Sequence, residues 1–208
     1  MNRIIKHFLQ IALFAPVFLP LTACALSGKA IEGQVLEEGT NKPIDGAIVT
    51  ARWSGNNWSG LVHSQTTCYH VETTVSDEQG RFHIKHWSDP QREKSFFVNE
   101  RSVIVFAYKP GYVNALPVGD TVYLKPFTGG RGERFAYLVR TYGSGCGATD
   151  GSEKNSILLL RAQYQEAQGL VQTPEEKRML EFLLYGLETT EIGFEEAQKR
   201  HLGRVKNK

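Results

Sequence analysis

The side chains of this 208-residue sequence best suited to bond formation or metal ligation are its three cysteines and six histidines. Cys68 and His70 stand two apart in a strand-like run, a spacing that points both to one face. His63, His83 and His86 could add ligands, so a metal centre is one reading of the group. None of the spacings is a known zinc pattern, and strand alternation sends His83 and His86 to opposite faces. Beyond residue 23 there is no His-Glu-x-x-His or His-x-x-Glu pair, and Gly-x-Ser-x-Gly is absent throughout. Gly143-Ser144-Gly145-Cys146-Gly147 has the glycines of a phosphate loop, but no Gly-Lys-Ser/Thr follows. Folding could still assemble a carboxylate pair for acid/base work, because Asp and Glu are plentiful. The expectation is a non-catalytic protein with no cofactor and no metal.

Cys24 has a different setting. Arg3 and Lys6 give a basic start, and an apolar run from Phe8 to Leu21 follows, broken only by Gln10, Pro16 and Pro20. This is the layout of a secretory signal over residues 1–23. Leu21-Thr22-Ala23-Cys24 resembles the lipobox of bacterial lipoproteins. The resemblance implies a diacylglyceryl group on the Cys24 sulfur, cleavage before Cys24, and acylation of the new amine. Ala23-Cys24-Ala25 also fits ordinary secretion of a soluble protein. A retained membrane helix is a third reading, weakened by its short run and by Pro16 and Pro20. Each buried methylene contributes about 0.8 kcal/mol, so two or three acyl chains anchor durably where one does not. Ala25, rather than aspartate, follows the cysteine; in a cell with two membranes the same resemblance implies the outer one.

Export leaves Cys68 and Cys146 in an oxidising compartment, where a pair is usually bridged. A bridge closing so long a loop contributes about 4 kcal/mol in the chain-entropy model. Two of the 24 basic residues, Arg3 and Lys6, belong to the signal, so the remaining 22 balance the 22 acidic ones. That neutrality gives no reason to expect nucleic-acid binding. The basic tail, residues 202–208, reads as a solvated end.

These residues must be positioned by a run of short strands. After a tether (residues 24–29), strand and turn signals alternate over residues 30–140. Tyr69, Val71, Thr73 and Val75 alternate with His70, Glu72, Thr74 and Ser76. Asp77 to Gly80 forms a turn into Phe82 and Ile84, suggesting a hairpin. Val103 to Tyr108 is apolar on both faces, as for a central covered strand. Tyr123 to Phe127 and Phe135 to Val139 supply two more strands. A glycine-rich connector, residues 141–151, leads to a helical segment, residues 152–201. Ser152 is placed to cap a helix over Glu153 to Gln168 that Gly169 ends. Thr173-Pro174-Glu175-Glu176 starts a second helix. Its stripe of Met179, Leu180, Leu183, Leu184 and Leu187 should pack on the sheet, the alternative being a partner-binding face.

Three segments together resemble the carboxypeptidase regulatory-like domain. They are Ile31 to Val35 continuing through Gly39 to Val49, then Thr74 to Phe82, then Val105 to Tyr112. The resemblance implies a mainly β fold: an antiparallel prealbumin/transthyretin-like β-sandwich, here carrying a C-terminal two-helix segment. It covers neither the stretch between Trp53 and Tyr69 nor anything after Phe127. It transfers no catalytic residue, and implies a binding or accessory module. The expected partners are membrane lipid through Cys24 and an envelope protein or glycan. Trp58, in a polar run, is the candidate ligand contact; Trp53 and Trp87 are expected to pack in the core. A structural component of an envelope assembly, or a hydrolase with an unrecognised site, are the other classes.

Overall fold

A computed structural model of the chain describes residues 26–58, 64–89, 98–115, 118–143, 146 and 151–206. Cys24, the segment before it and His63 lie outside the described residues, as does the side chain of Trp58. The strands, in chain order, are β1 (Leu26–Gly28), β2 (Ile31–Glu37), β3 (Ile48–Trp58), β4 (Ser64–Val75) and β5 (Arg81–Ile84). They continue with β6 (Trp87–Asp89), β7 (Val98–Tyr108), β8 (Tyr112–Asn114) and β9 (Thr121–Pro126). The helices are α1 (Arg131–Arg140), α2 (Ile157–Leu170), α3 (Pro174–Ile192) and α4 (Phe194–Lys206), with a 3-10 turn over Ser152–Ser156 before α2.

Two sheets share a core. One has the order β4-β3-β7 and is antiparallel; the other has the order β5-β2-β9-β8. Within the second sheet β2 and β9 run parallel, Val35 opposite Val122. Alternation on β3 sends Val49, Ala51 and Trp53 inward, where they meet Val35, Phe82 and Leu124 of the other sheet. Gly33 and Gly80 permit close approach within the second sheet. A side chain on Gly33 would strike the Asp120 carbonyl and the Phe82 ring. One on Gly80 (φ 72°) would strike the Val35 carbonyl, in a backbone conformation that favours glycine. A short third sheet pairs β1 with β6.

The expected mainly β antiparallel sandwich with two terminal helices is not what the chain forms. Helix (40%) and strand (36%) are nearly equal, the three sheets are open, and four α-helices are present among the described residues. The parallel β2–β9 pair removes the purely antiparallel character as well. The helices build a second core on the outer face of the three-stranded sheet, joining Ile48 and Tyr108 to Phe135, Leu138, Leu159 and Leu183.

Several local expectations change with it. Phe135 to Val139 lies in α1: Phe135, Tyr137 and Val139 mimic strand alternation, but Phe135 and Leu138 share a buried helical face. The Glu133 carboxylate accepts the Gly130 N–H at 2.8 Å and secures the helix start. Ser152 does not cap a helix; its hydroxyl accepts the Val71 N–H at 3.0 Å on the edge of β4. Gly169 falls inside α2 rather than ending it. The Asp77–Gly80 turn carries the chain from one sheet to the other, since β5 pairs with β2, so β4 and β5 are no hairpin. β7 is an edge strand, covered on both faces only near Ala107 and Tyr108.

Thr173 caps α3 as its residue type suggests, its hydroxyl accepting from Glu176 N at 3.1 Å while Glu176 accepts from Thr173 N at 3.0 Å. The ion pair with Arg131 and two backbone hydrogen bonds hold the Glu176 carboxyl down at about 2. Leu183 of the apolar stripe enters the helical core, whereas Met179 and the neighbouring Phe182 remain exposed.

Candidate functional site

Cys68 and Cys146 form a disulfide across 78 residues of chain, with Cα atoms 5.2 Å apart. It pins the segment after α1 against Val71 of β4. The Asn155 side-chain amide donates to Val71 O at 3.1 Å, so disulfide, Ser152 and Asn155 together cover this stretch of the β4 edge.

The other residues considered for metal ligation are dispersed. His70 is buried and stacks on Trp87 with ring centroids 3.7 Å apart, and its Nε2 lies 3.1 Å from Glu72 Oε1. Trp53 meets Trp87 edge-on at 5.6 Å. A register shift beside Tyr69 breaks the alternation of β4, which lets both Tyr69 and His70 reach Trp87. Trp53 and Trp87 thus pack internally as expected, Trp87 with its buried indole N–H lacking a described acceptor. His83 sits on the exposed face of β5 beside Glu32, 3.2 Å away, and His86 is exposed beyond that strand. Among the described residues no three His, Cys, Asp or Glu side chains converge to hold a metal ion.

A broad concave feature lies between the two sheets. Val103, Ile104 and Val105 of β7, with Ile31, Phe82 and Val122 opposite, line a groove of about 820 Å³. Val103 is 47% and Ile104 45% exposed, a high value for aliphatic side chains. Glu32 and Asp120 stand on its rim. Among the described strands only β3 is hydrogen-bonded to β7. On the other edge of β7, Ala107 N donates to Asn114 Oδ1 at 3.2 Å. An edge strand beside an apolar groove can accept an added strand, with its alternate side chains entering the groove.

The helices are fixed to the sheet by one buried polar cluster. Arg134, 4% exposed, donates from Nη1 to the Tyr112 carbonyl at 2.5 Å and pairs with Glu166 of α2. Burial pushes the Glu166 carboxyl up, but hydrogen bonds from Arg134 and Tyr108 and the guanidinium charge outweigh it and leave it below its ordinary value. Burial first, and then Glu166, push the Tyr108 hydroxyl up, so it stays a donor. Every member has a partner, so the cluster reads as a joint between layers.

Nothing in the sequence singled out this joint or the β7 groove. The clue was the double-faced apolarity of Val103 to Tyr108, read there as burial rather than as an open edge. No described helix is long and apolar enough to cross a membrane. No protein-family model matches the chain, and comparison with curated proteins and with solved structures finds no significant match.

Proposed function

We propose that this chain is an exported, lipid-anchored protein of the bacterial envelope that serves as a non-catalytic accessory module. The open groove beside β7 is its partner-binding surface. That groove is the observation that carries the reading: exposed aliphatic side chains line it next to a strand edge where a partner segment can pair. The open edge of β7 favours a protein segment over a glycan, because only a polypeptide can pair its main chain with the strand while its alternate side chains enter the aliphatic groove. Export is supported by the signal-like start and the lipobox resemblance at Cys24, and the Cys68–Cys146 disulfide suits an oxidising compartment. The membrane holds the module at a surface through acylated Cys24, which raises its effective concentration near envelope partners.

Site-specific photo-crosslinking in intact cells tests the reading. A photoreactive residue at position 103 should yield one discrete adduct, lost when Val105→Lys, two along on the same face of β7, is added. Crosslinks at position 103 no more discrete than those from exposed Glu78 would remove the groove as a docking surface.

A further inference from the structure

The open edge of β7 has an internal symmetry. Ala107 donates its backbone N–H away from β3 to Asn114, so it stands in a non-hydrogen-bonded pair with Val49. The β3–β7 register runs unbroken from Tyr108 to Ser102. Alternation therefore turns the N–H and C=O of Val105 and Val103 outward too. Among the described residues neither bonds to anything on that side. The register shifts beyond Ser102, and the Asn114 side chain closes the edge at Ala107. What remains is a regular stretch with two outward-facing residues, Val103 and Val105, and Ile104 midway between them.

That stretch is complementary to itself. Consider a second copy running the opposite way about a two-fold axis at Ile104. Val103 then lies opposite Val105 of the second copy, and Val105 opposite its Val103. Each such pair exchanges two backbone hydrogen bonds, four in all. Ile104 meets its own counterpart in the non-hydrogen-bonded pair between them, where side chains come closest. Alternation aims Val103 and Val105 at the inter-sheet side and Ile104 at the opposite side. The pairing thus covers apolar side chains on both faces, including Val103 and Ile104, each nearly half exposed in the single chain.

Charge does not oppose this contact. Strand edges that must stay unpaired are commonly guarded by lysine, proline or an inward charge. Ser102 to Tyr108 contains no charged residue and no proline. The chain beyond residue 23 is neutral, with 22 basic and 22 acidic residues, so copies do not repel one another overall. A two-fold axis through an antiparallel pair stands perpendicular to the sheet. The two three-stranded sheets would join into one of six strands, with both helical layers on one face and both four-stranded sheets on the other.

We propose that the occupant of the β7 groove is a second copy of this chain, the two β7 edges pairing antiparallel about Ile104. The proposal rests on the reading of the groove as a docking surface and names its partner.

Cysteine pairing in the full chain tests the register, because position 104 meets its own counterpart only about this axis. Ile104→Cys, oxidised with copper–phenanthroline, should give a covalent dimer as the main product. Glu78→Cys, on an exposed turn, should give about a tenth as much or less. Ser102→Cys, about 14 Å from its counterpart in this register, should crosslink as poorly as Glu78→Cys. With a photoreactive residue at position 103, the discrete adduct should have twice the mass of the chain. Adding Ile104→Lys or Ile104→Glu should abolish it by like-charge repulsion, and mixing the two variants should restore it, which a folding defect could not do. No dimer from Ile104→Cys, or equal yields from positions 104, 102 and 78, overturns the pairing. A discrete adduct of any other mass overturns the second copy as occupant but leaves the groove a docking surface. The absence of any discrete adduct removes both.

Discussion

Arg134 of α1 and Glu166 of α2 meet through two parallel hydrogen bonds, Nε to Oε1 at 2.8 Å and Nη2 to Oε2 at 2.9 Å. The same carboxylate accepts from the Tyr108 hydroxyl at 2.6 Å and the Gly111 N–H at 3.2 Å, so one ion pair ties two helices to the end of β7. The guanidinium also lies 5.4 Å from the Phe127 ring centroid and 5.2 Å from that of Tyr137. Removing one partner strands a buried charge, which is costlier than removing both.

Glu166→Ala should therefore destabilise the protein by about 3–5 kcal/mol in chemical denaturation. The double variant Arg134→Leu/Glu166→Leu should recover part of that loss. A loss below about 1 kcal/mol in the single variant would mean the pair sits in well-solvated surroundings.

The same pair makes a pH prediction with a defined sign. The folded-state value of Glu166 lies below its ordinary 4.5, so the unfolded chain takes up this proton first as acid is added. The stabilisation is complete above the ordinary value and disappears as pH falls through the lower folded value. Glu166→Gln should thus flatten the acid limb of the stability curve relative to the natural chain. Parallel acid limbs would show that Glu166 titrates alike folded and unfolded.

Breaking the Cys68–Cys146 bridge, by reduction or as Cys68→Ser/Cys146→Ser, should cost about 4 kcal/mol through loop-closure entropy. Hydrogen exchange should rise at Val71, whose N–H is held by Ser152 on the far side of the closed loop. Unchanged protection at Val71 would show that Ser152 and Asn155 hold the β4 edge alone.

The legible parts of the fold were those coded by neighbouring residues. Thr173-Pro174-Glu175-Glu176 carries its own capping geometry, and Val49, Ala51 and Trp53 declare an inward strand face by period alone. The pairing of Cys68 with Cys146 followed from counting cysteines once export was assumed. Whatever depended on distant partners stayed hidden. Phe135 to Val139 alternates like a strand, and distant partners (Leu159 and Leu183 packed on Phe135 and Leu138, and Glu166 paired with Arg134) favour the helix. Arg134 looks like an ordinary surface arginine in sequence, because the joint it forms draws on both sheets and helices. The open edge of β7 is hidden in the sequence because apolar residues on both faces suit a covered strand and an open edge equally.

Val103→Ser separates those two meanings. A buried central valine would cost over 1 kcal/mol on such truncation, whereas at 47% exposure the change should stay within about 0.5 kcal/mol. Partner crosslinking should fall nonetheless. A large stability loss with normal crosslinking would make this segment part of the core.

The proposed anchoring through Cys24 would place the whole module at a membrane surface, and the intact mass of the protein extracted from membranes tests it most directly. The expected species begins at Cys24, carries a diacylglyceryl adduct and needs detergent to stay in solution; Cys24→Ser should lose the adduct and partition into buffer. A natural chain found without adduct, beginning at Leu26 or still carrying Met1, and soluble without detergent, would contradict it.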